Sequence, residues 1–487
     1  MISKKVNLLT LVFIIIGLFS IYGQEKNIVI EATVLDLETK ESLPYANVIV
    51  EGTSIGTITN EDGMFDLTIE KTYAESNIVF SFMGYNKITK NLQEFKTVGD
   101  TIYMKPSSTS LSEITLVSKS KSRELIKEAI AKFTTNYPEN PIYMDAYYRE
   151  LTKIDKHYTK FTDAASRFYY SGYNTKYNYE LSYKDYQQFD RSSKIKKVPF
   201  PEPKDFIADS RDQVKVIALR KSDNLQDYKI LEQTKKLNEI QTSHLKWLEN
   251  NEIGGGPLRL TGADKVKRQQ DFLNPKLNEH YKFNLIGKSS YNNLPVYVIG
   301  FKPKDTLSKK AIYKGEITID EISKAIIAYT YRPSTITKKR LNQKFAAQLK
   351  TPKSVEKQIN KKFITRLTEL KDYEVEVSFS QFKSKWFLKR IKVINYYKNT
   401  GDFLKNYTTT TESELIINNI ELNRVHKFPE YEIYQSTFMN SIFNYKLKYT
   451  PSFWRNFNAL IPTGLVGKAL KDLEAESSLE EQFKNKE

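Results

Sequence analysis

The chain of 487 residues contains no cysteine and only four histidines. The absence of cysteine excludes disulfide bonds, thiol nucleophiles and thiolate metal sites, and it leaves no cysteine that could carry a lipid. No histidine belongs to a His-Glu-x-x-His motif, and none is followed by glutamate three positions later, so the usual spacings of zinc hydrolases are missing. We therefore predict no metal site and no cofactor. The histidines are His157, His244, His280 and His426.

Sequence motifs of catalysis are missing as well. The chain has neither a Gly-x-Ser-x-Gly nucleophile elbow nor a P-loop ending in Gly-Lys-Ser/Thr. The glycine-rich stretch Gly254–Gly256 has no strand-to-helix frame around it, so we interpret it as a tight structural turn. We predict no catalytic residues. The alternative is a hydrolase whose Asp, Glu and His residues are dispersed in the sequence and brought together by the fold.

Long apolar runs are limited to the N-terminus, where residues 8–21 follow Lys4 and Lys5. A basic start followed by a short apolar stretch is typical of an export signal, so we predict a cleaved signal peptide at residues 1–23. An uncleaved anchor is the alternative. No later stretch reaches about 18 uninterrupted apolar residues. Because an exported chain without disulfides suits a bacterial envelope, we predict a location in the periplasm or at the outer membrane.

Basic residues outnumber acidic residues, and the formal charge is +17, or +15 without Lys4 and Lys5. The excess is concentrated in segment 338–366, which contains ten Lys or Arg residues and the single acid Glu356. An exported chain does not meet nucleic acid, so we predict no nucleic-acid partner. The segment is expected to contact anionic lipid, lipopolysaccharide or an acidic partner, or else to be a solvated positive face.

Short strand patterns fill residues 28–104. About seven runs of four to eight residues, rich in Val, Ile, Phe and Tyr, alternate with turn residues, which predicts a small antiparallel β-sandwich. The cluster Asn60-Glu61-Asp62-Gly63 lacks the twelve-residue ligand ladder of a calcium-binding EF-hand. Asn and Asp hydrogen-bond their own backbone in turns, and Gly supplies a positive φ, so we interpret the cluster as a turn.

The rest of the chain combines helices with long hairpins. In the stretch that begins at Ser120, apolar residues recur at helical spacing, and Asn136-Tyr137-Pro138 ends the predicted helix. The apolar residues are Leu125, Ile126, Ala129, Ile130 and Phe133. Later hairpins turn at Asn292-Asn293, Asp320-Glu321 and Lys383-Ser384, which predicts an antiparallel meander that forms either a large curved sheet or a half-barrel. We predict loops and one helix for residues 194–261, and helices at the C-terminus.

The sequence thus predicts a mainly β protein with some helix and four parts. They are a signal peptide at 1–23, the sandwich at 27–106, a linker at 107–118 and a β-rich domain with flanking helices at 119–487. The 32 tyrosines are interpreted as strand formers and core fillers, with stacking on sugars or at an interface as the alternative.

The sandwich region resembles a known module. Leu43-Pro44, the repeated Gly-Thr pairs, Asp62-Gly63-x-Phe65 and Gly84-Tyr85 are similar to the carboxypeptidase-regulatory-like, transthyretin-like domain. That resemblance implies an accessory folding or interaction domain, as in many envelope proteins of Bacteroidota, without the peptidase chemistry of its namesake. The later strand–turn–strand pattern at 313–331 resembles the half-barrels of periplasmic lipoprotein carriers, whose concave face holds acyl chains or a peptide.

From these features we predict a non-enzymatic exported envelope protein that binds a protein partner or a hydrophobic ligand. An outer-membrane barrel is one possible protein partner. The two alternatives are the hydrolase and a structural component of an outer-membrane complex. The sequence identifies no binding residue.

Overall fold

The computed structural model describes most of the chain. The described residues are 27–95, 99–108, 119–173, 211–223, 239, 256–305, 310–335, 337–338, 366–401, 406–434, 442–461, 464–474 and 477–485. The predicted signal peptide, His244 and all but the ends of segment 338–366 lie outside the described residues.

Seven strands near the N-terminus form two small sheets. One sheet has the order β4-β1-β7 and the other has the order β3-β2-β5-β6. All pairs are antiparallel except β1 and β7, which run parallel. Val34, Val48 and Phe80 are fully buried between the sheets, and the predicted sandwich is confirmed. The strands are β1 (Ile28–Asp36), β2 (Asn47–Val50), β3 (Gly56–Ile58), β4 (Met64–Ile69), β5 (Asn77–Ser81), β6 (Ile88–Asn91) and β7 (Asp100–Met104).

The cluster at Asn60 is a turn, as predicted. The Asn60 side-chain oxygen accepts hydrogen bonds from the backbone N–H of Asp62 at 3.0 Å and of Met64 at 2.8 Å. Gly63 has a φ of 75°, and a Cβ there would lie 2.5 Å from the Val34 carbonyl oxygen. Glycine is therefore required at this position.

Ten strands form one antiparallel, curved and open sheet, which confirms the predicted fold class and corresponds to the curved-sheet alternative. Its order is β10-β9-β8-β17-β16-β15-β14-β13-β12-β11. The strands are β8 (Ile142–Ile154), β9 (His157–Tyr170), β10 (Gln213–Asp223), β11 (Tyr281–Tyr291), β12 (Leu294–Pro303), β13 (Tyr313–Asp320), β14 (Ile326–Pro333), β15 (Arg366–Phe382), β16 (Lys385–Gly401) and β17 (Tyr407–Glu421).

The prediction of loops and one helix for residues 194–261 is wrong at β10. This edge strand pairs with β9 and contains a bulge between Val216 and Ala218. The bulge inserts one residue, so Val214 and Val216 lie on the same face as Leu219 although their numbers differ in parity. The apolar residues of β10 therefore do not alternate in the sequence with a strict period of two.

Helices pack on both faces of the sheet. Helix α1 and the segment 256–273 cover one face, and the C-terminal helices lie against β9 and β10 on the other. Gly256, the described end of the glycine-rich stretch, begins helix α3 with a φ of 56°. Among the described residues, no helix is long and apolar enough to span a membrane. The helices are α1 (Lys119–Ala131), α2 (Phe133–Asn136), α3 (Gly256–Leu260), α4 (Lys265–Arg268), α5 (Pro451–Arg455), α6 (Gly464–Leu473) and α7 (Leu479–Asn485).

The two faces of the sheet differ in chemistry. The apolar face, under α1 and segment 256–273, carries the largest hydrophobic core, which includes Tyr148, Tyr329, Val375 and Ile391. Many tyrosines are fully buried, which confirms the core-filling interpretation for them. The alternate positions along each strand project from the opposite side, which we call the polar face.

Lys389 on β16 is a buried cation without a carboxylate partner among the described residues. Its side chain is 2% exposed, and its Nζ donates a hydrogen bond to the Ile417 carbonyl oxygen at 2.7 Å. Burial lowers the pKa of this ammonium from 10.5 to about 7. Above about pH 7 the folded chain therefore favours the neutral amine.

We predict that Lys389→Met has a higher free energy of unfolding than wild type, and that this difference is largest at neutral and acidic pH. Between pH 7 and 10.5 the unfolded wild type binds more protons than the folded one, so its stability rises with pH in that window. The advantage of the variant should therefore shrink there by up to about 1.4 kcal/mol per pH unit. Urea unfolding across this range tests the prediction, with Lys398→Met, an exposed position on the same strand, as the control. A constant difference between Lys389→Met and wild type would contradict it.

Candidate functional site

One row of residues crosses the polar face and takes one residue from each of the ten strands. The strand registers place these residues side by side from edge strand β11 to edge strand β10, and we call them the polar row. The half on β11 to β15 is Asn284, Gly300, Glu316, Thr330 and Glu376. The half on β16, β17, β8, β9 and β10 is Lys392, Glu414, Arg149, Asp163 and Arg220.

Charges in the second half of the polar row compensate one another. Asp163 is fully buried, and it accepts hydrogen bonds from Arg149 Nε at 2.9 Å, Arg220 Nη2 at 2.7 Å and the Tyr147 hydroxyl at 2.7 Å. Burial alone would raise the pKa of the Asp163 carboxyl, but the two guanidinium groups hold it below its ordinary value. The carboxylate therefore stays ionised because cations surround it.

The sandwich contacts the polar face through Tyr45 and Glu61. The Tyr45 ring lies 3.8 Å from the Arg390 guanidinium, and its hydroxyl accepts from Lys392 Nζ at 2.8 Å and donates to Glu61 at 3.1 Å. Lys392 also lies 2.6 Å from Glu412. Burial alone would lower the pKa of Lys392, but two glutamates of β17 hold it above its ordinary value. This contact is a compact, mutually compensated set of charges.

Tyr45 adopts a backbone conformation that bulky residues rarely take. Its φ is 65°, in the left-handed region, where a side chain of this size costs on the order of 1–3 kcal/mol. The cation–π contact with Arg390 and the two hydroxyl hydrogen bonds hold the residue in place. Docking of the sandwich therefore offsets local strain.

The segment after α5 joins the sandwich to the sheet. The Asn458 amide exchanges two hydrogen bonds with the Thr68 backbone, at 2.6 and 3.1 Å, and the Asn458 carbonyl oxygen accepts from Asn418 at 2.8 Å. Asn60 Nδ2 donates to the Ile461 carbonyl oxygen at 3.2 Å. The turn at Asn60 is thus part of the contact between the two halves of the protein.

The first half of the polar row lies in a groove across β11 to β15. The groove has a volume of about 530 Å³, and Lys302, Lys314, Arg332 and Glu374 line it beside the row. Within the described ranges, neither these four residues nor Glu316 has an oppositely charged partner within 4.0 Å. The groove therefore presents unpaired charges of both signs to solvent.

Two glycines shape the floor of the groove. A Cβ at position 315 would lie 1.9 Å from the Thr330 carbonyl oxygen, so only glycine allows β13 and β14 to approach here. A Cβ at Gly300 would lie 3.1 Å from the Ile286 side chain. Side chains at these positions would push the strands apart or fill the groove.

The described histidines do not converge. His157 Nδ1 is 4.0 Å from Asp472, His280 Nε2 is 3.4 Å from the adjacent Glu279, and His426 is exposed. Neither the groove nor a smaller cavity beneath the sandwich is lined by a histidine. Across the described part of the chain, no group of three or more His, Asp or Glu residues is arranged to hold a metal.

Sequence reasoning did not identify the groove, because its residues come from five separate strands. The available signal was the position of charges within predicted strands, such as Lys314 with Glu316 and Glu374 with Glu376. Period-two alternation assigns such residues to one face, but only the register shows which of them become neighbours.

A comparison with known families identifies the first module. Residues 30–116 match the CarboxypepD_reg-like domain family. The N-terminal sandwich is the part of the chain that is similar to this domain family. This match confirms the resemblance seen at Leu43-Pro44 and Asp62-Gly63. It does not include the ten-stranded sheet that follows the sandwich.

No curated protein matches the chain. Among solved structures, an outer membrane lipoprotein-sorting protein domain from Vibrio parahaemolyticus is 12% identical, with a TM-score of 0.22 over 67% of this chain and 97% of that one. A LolA superfamily protein from Nitrosomonas europaea is 9% identical, with a TM-score of 0.20 over 64% and 96%. A membrane-associated protein of unknown function from Bacteroides fragilis is 9% identical, with a TM-score of 0.14 over 81% and 99%. Scores this low give no basis for transferring a function.

We predict that Tyr45→Ala lowers the free energy of unfolding by about 2–4 kcal/mol, because it removes the ring contact and both hydroxyl hydrogen bonds. Tyr45→Gly loses the same contacts but tolerates the positive φ, so it should be more stable than Tyr45→Ala by about 1 kcal/mol. Chemical unfolding measures both differences. Tyr431→Ala, at a side chain that is 87% exposed, is the control. An alanine variant as stable as the glycine variant would show that Tyr45 is not strained.

Proposed function

We propose that this protein is an exported, non-enzymatic binding protein of the cell envelope, whose groove on the polar face holds a segment of a partner protein. The observation that carries the proposal is the set of unpaired charges in the groove. Glu316, Lys302, Lys314 and Arg332 have no partner among the described residues, whereas the charges in the covered half of the polar row are compensated. Unpaired charges in a concave surface favour a polar partner.

The packing of the apolar face argues against a hydrophobic ligand there. The Phe272 ring stacks on Phe301 with centroids 4.1 Å apart, and Ile126 of α1 is fully buried. Because the chain's own helical segments cover this face, an acyl chain would have to displace them. The polar groove needs no such rearrangement.

The sandwich acts in this proposal as a fixed support. Its contacts through Tyr45, Glu61 and Asn60 lie on the covered half of the same face. It also contacts the β11–β12 hairpin through Gly84 and Lys87, but none of the described residues that line the groove belongs to the sandwich. The partner is an envelope protein, and an outer-membrane barrel protein belongs to that class. No described observation favours the hydrolase alternative.

The central test places a photo-crosslinking amino acid at Thr330, an exposed and uncharged residue of the groove. Irradiation of cells should link this position to a distinct protein, and Arg332→Glu in the same chain should abolish the product because it reverses a groove charge. The same amino acid at Tyr431 is the site control, and Lys448→Glu is the charge control. Identical products from Thr330 and Tyr431, or no product from Thr330, would contradict the proposal.

A second measurement addresses the hydrophobic-ligand alternative. Protein purified from its native envelope should contain no stoichiometric acyl chains when organic extracts are analysed by mass spectrometry, because the apolar face is already occupied. A protein purified in parallel and known to bind lipid serves as the positive control. Stoichiometric recovery of one lipid class would overturn the assignment to a protein partner.

A further inference from the structure

We propose that four cations beside the groove bind an acidic segment of the partner protein, an inference that rests on the function proposed above. They are Lys282, Lys302, Lys314 and Arg332, and we call them the basic row. The registers place Lys282 opposite Lys302 and Lys314 opposite Arg332. The pairing of β12 with β13 ends at Phe301 opposite Gly315, and the next residues of the two strands are Lys302 and Lys314.

The basic row lies wholly on the polar face. Each cation directly follows a buried aromatic residue whose ring belongs to the apolar core, and successive side chains of a strand point to opposite faces. Strands about 4.8 Å apart give the row a length of about 14 Å. Lys314 is half-buried and the other three are exposed. The preceding aromatic residues are Tyr281, Phe301, Tyr313 and Tyr331.

This arrangement is unfavourable for the fold by itself. Like charges directly opposite one another on adjacent strands destabilise a sheet. Within the described residues, none of the four cations has a carboxylate within 4.0 Å, whereas Arg149, Arg220 and Lys392 on the same face each have at least one. An anion bound along the row would remove this repulsion.

The acidic residues beside the basic row restrict which kind of molecule can carry the bound anion. Glu316 lies two residues further along β13 than Lys314, about 7 Å away, and Glu376 lies at the same level on β15. The register of β14 and β15 makes Glu374 the acid next to Arg332 at the β15 end of the basic row. One side of the groove therefore has the four cations and Glu374, and the other side has only acidic charges. A flat anionic membrane would be repelled by these glutamates and would not follow the concave surface. A protein segment fits when its carboxylates face the basic row and its neutral or basic groups face Glu316.

Fluorescence anisotropy at low salt tests the site, with the full chain and a labelled hexaglutamate peptide as the probe. The triple variant Lys302→Gln, Lys314→Gln and Arg332→Gln should bind the peptide at least about tenfold more weakly than wild type, because it removes three charges that face the ligand. The matched control changes net charge equally at exposed positions elsewhere. Its substitutions are Lys71→Gln, Lys427→Gln and Lys448→Gln.

Loss of binding in the triple variant together with binding retained in the control supports the proposal. Equal binding by both variants would show non-specific attraction to a basic protein and would overturn it. Binding to phosphatidylglycerol vesicles that depends on the basic row, without peptide binding, would also overturn it and assign the row to a membrane.

The two proposals can fail separately. If Thr330 still captures a protein in the triple variant with undiminished yield, the groove binds a partner without the basic row, and only this inference is wrong. If hexaglutamate binds through the basic row but Thr330 captures no protein, the anion site stands and the proposed function is wrong.

Discussion

Buried charges on the polar face must be compensated, and this constraint determines how the two halves of the protein fit together. Asp163 and Lys392 are almost completely shielded from water, and a lone charge in such a place costs several kcal/mol. Their partners come from different strands and, for Lys392, from Tyr45 of the sandwich. A sandwich docked elsewhere would leave Arg390 without its aromatic partner. Charge compensation therefore determines where the sandwich docks on the sheet as well as how stable the fold is.

The two faces of the sheet differ in how far the chain itself covers them. The apolar face is filled by aromatic and aliphatic side chains under α1 and segment 256–273, so the chain supplies its own covering. The sandwich and the C-terminal helices cover the polar face over β16, β17 and β8 to β10, and the sandwich also contacts the hairpin of β11 and β12. Over β11 to β15 no described element with complementary charges packs on the polar face, so the groove stays open. The resulting asymmetry separates a structural half of the polar face from the half that we propose binds a partner.

Local chemistry made part of this architecture predictable. The turns at Asn60, Asn292-Asn293 and Lys383-Ser384 depend on residues that accept positive φ, and the structure has such values at Asn292 and Ser384. Strand β10 was missed because its bulge breaks the period of two. The polar row was missed because register is non-local: Glu414 lies beside Arg149, 265 residues earlier in the chain. No local pattern in the sequence specifies that pairing, so neither the contact with the sandwich nor the groove was predictable.

Arg390 lies at the boundary between the covered and open halves of the polar face. One face of its guanidinium packs on the strained Tyr45, while its Nη1 donates to Glu376 at 2.8 Å and its Nε to Glu414 at 2.5 Å. Glu376 is itself a residue of the groove. The side chain that secures the sandwich is thus also paired with an acid of the groove. Because Arg390 has already paired with Glu376, the acids left for basic groups of the proposed partner are Glu316 and Glu374.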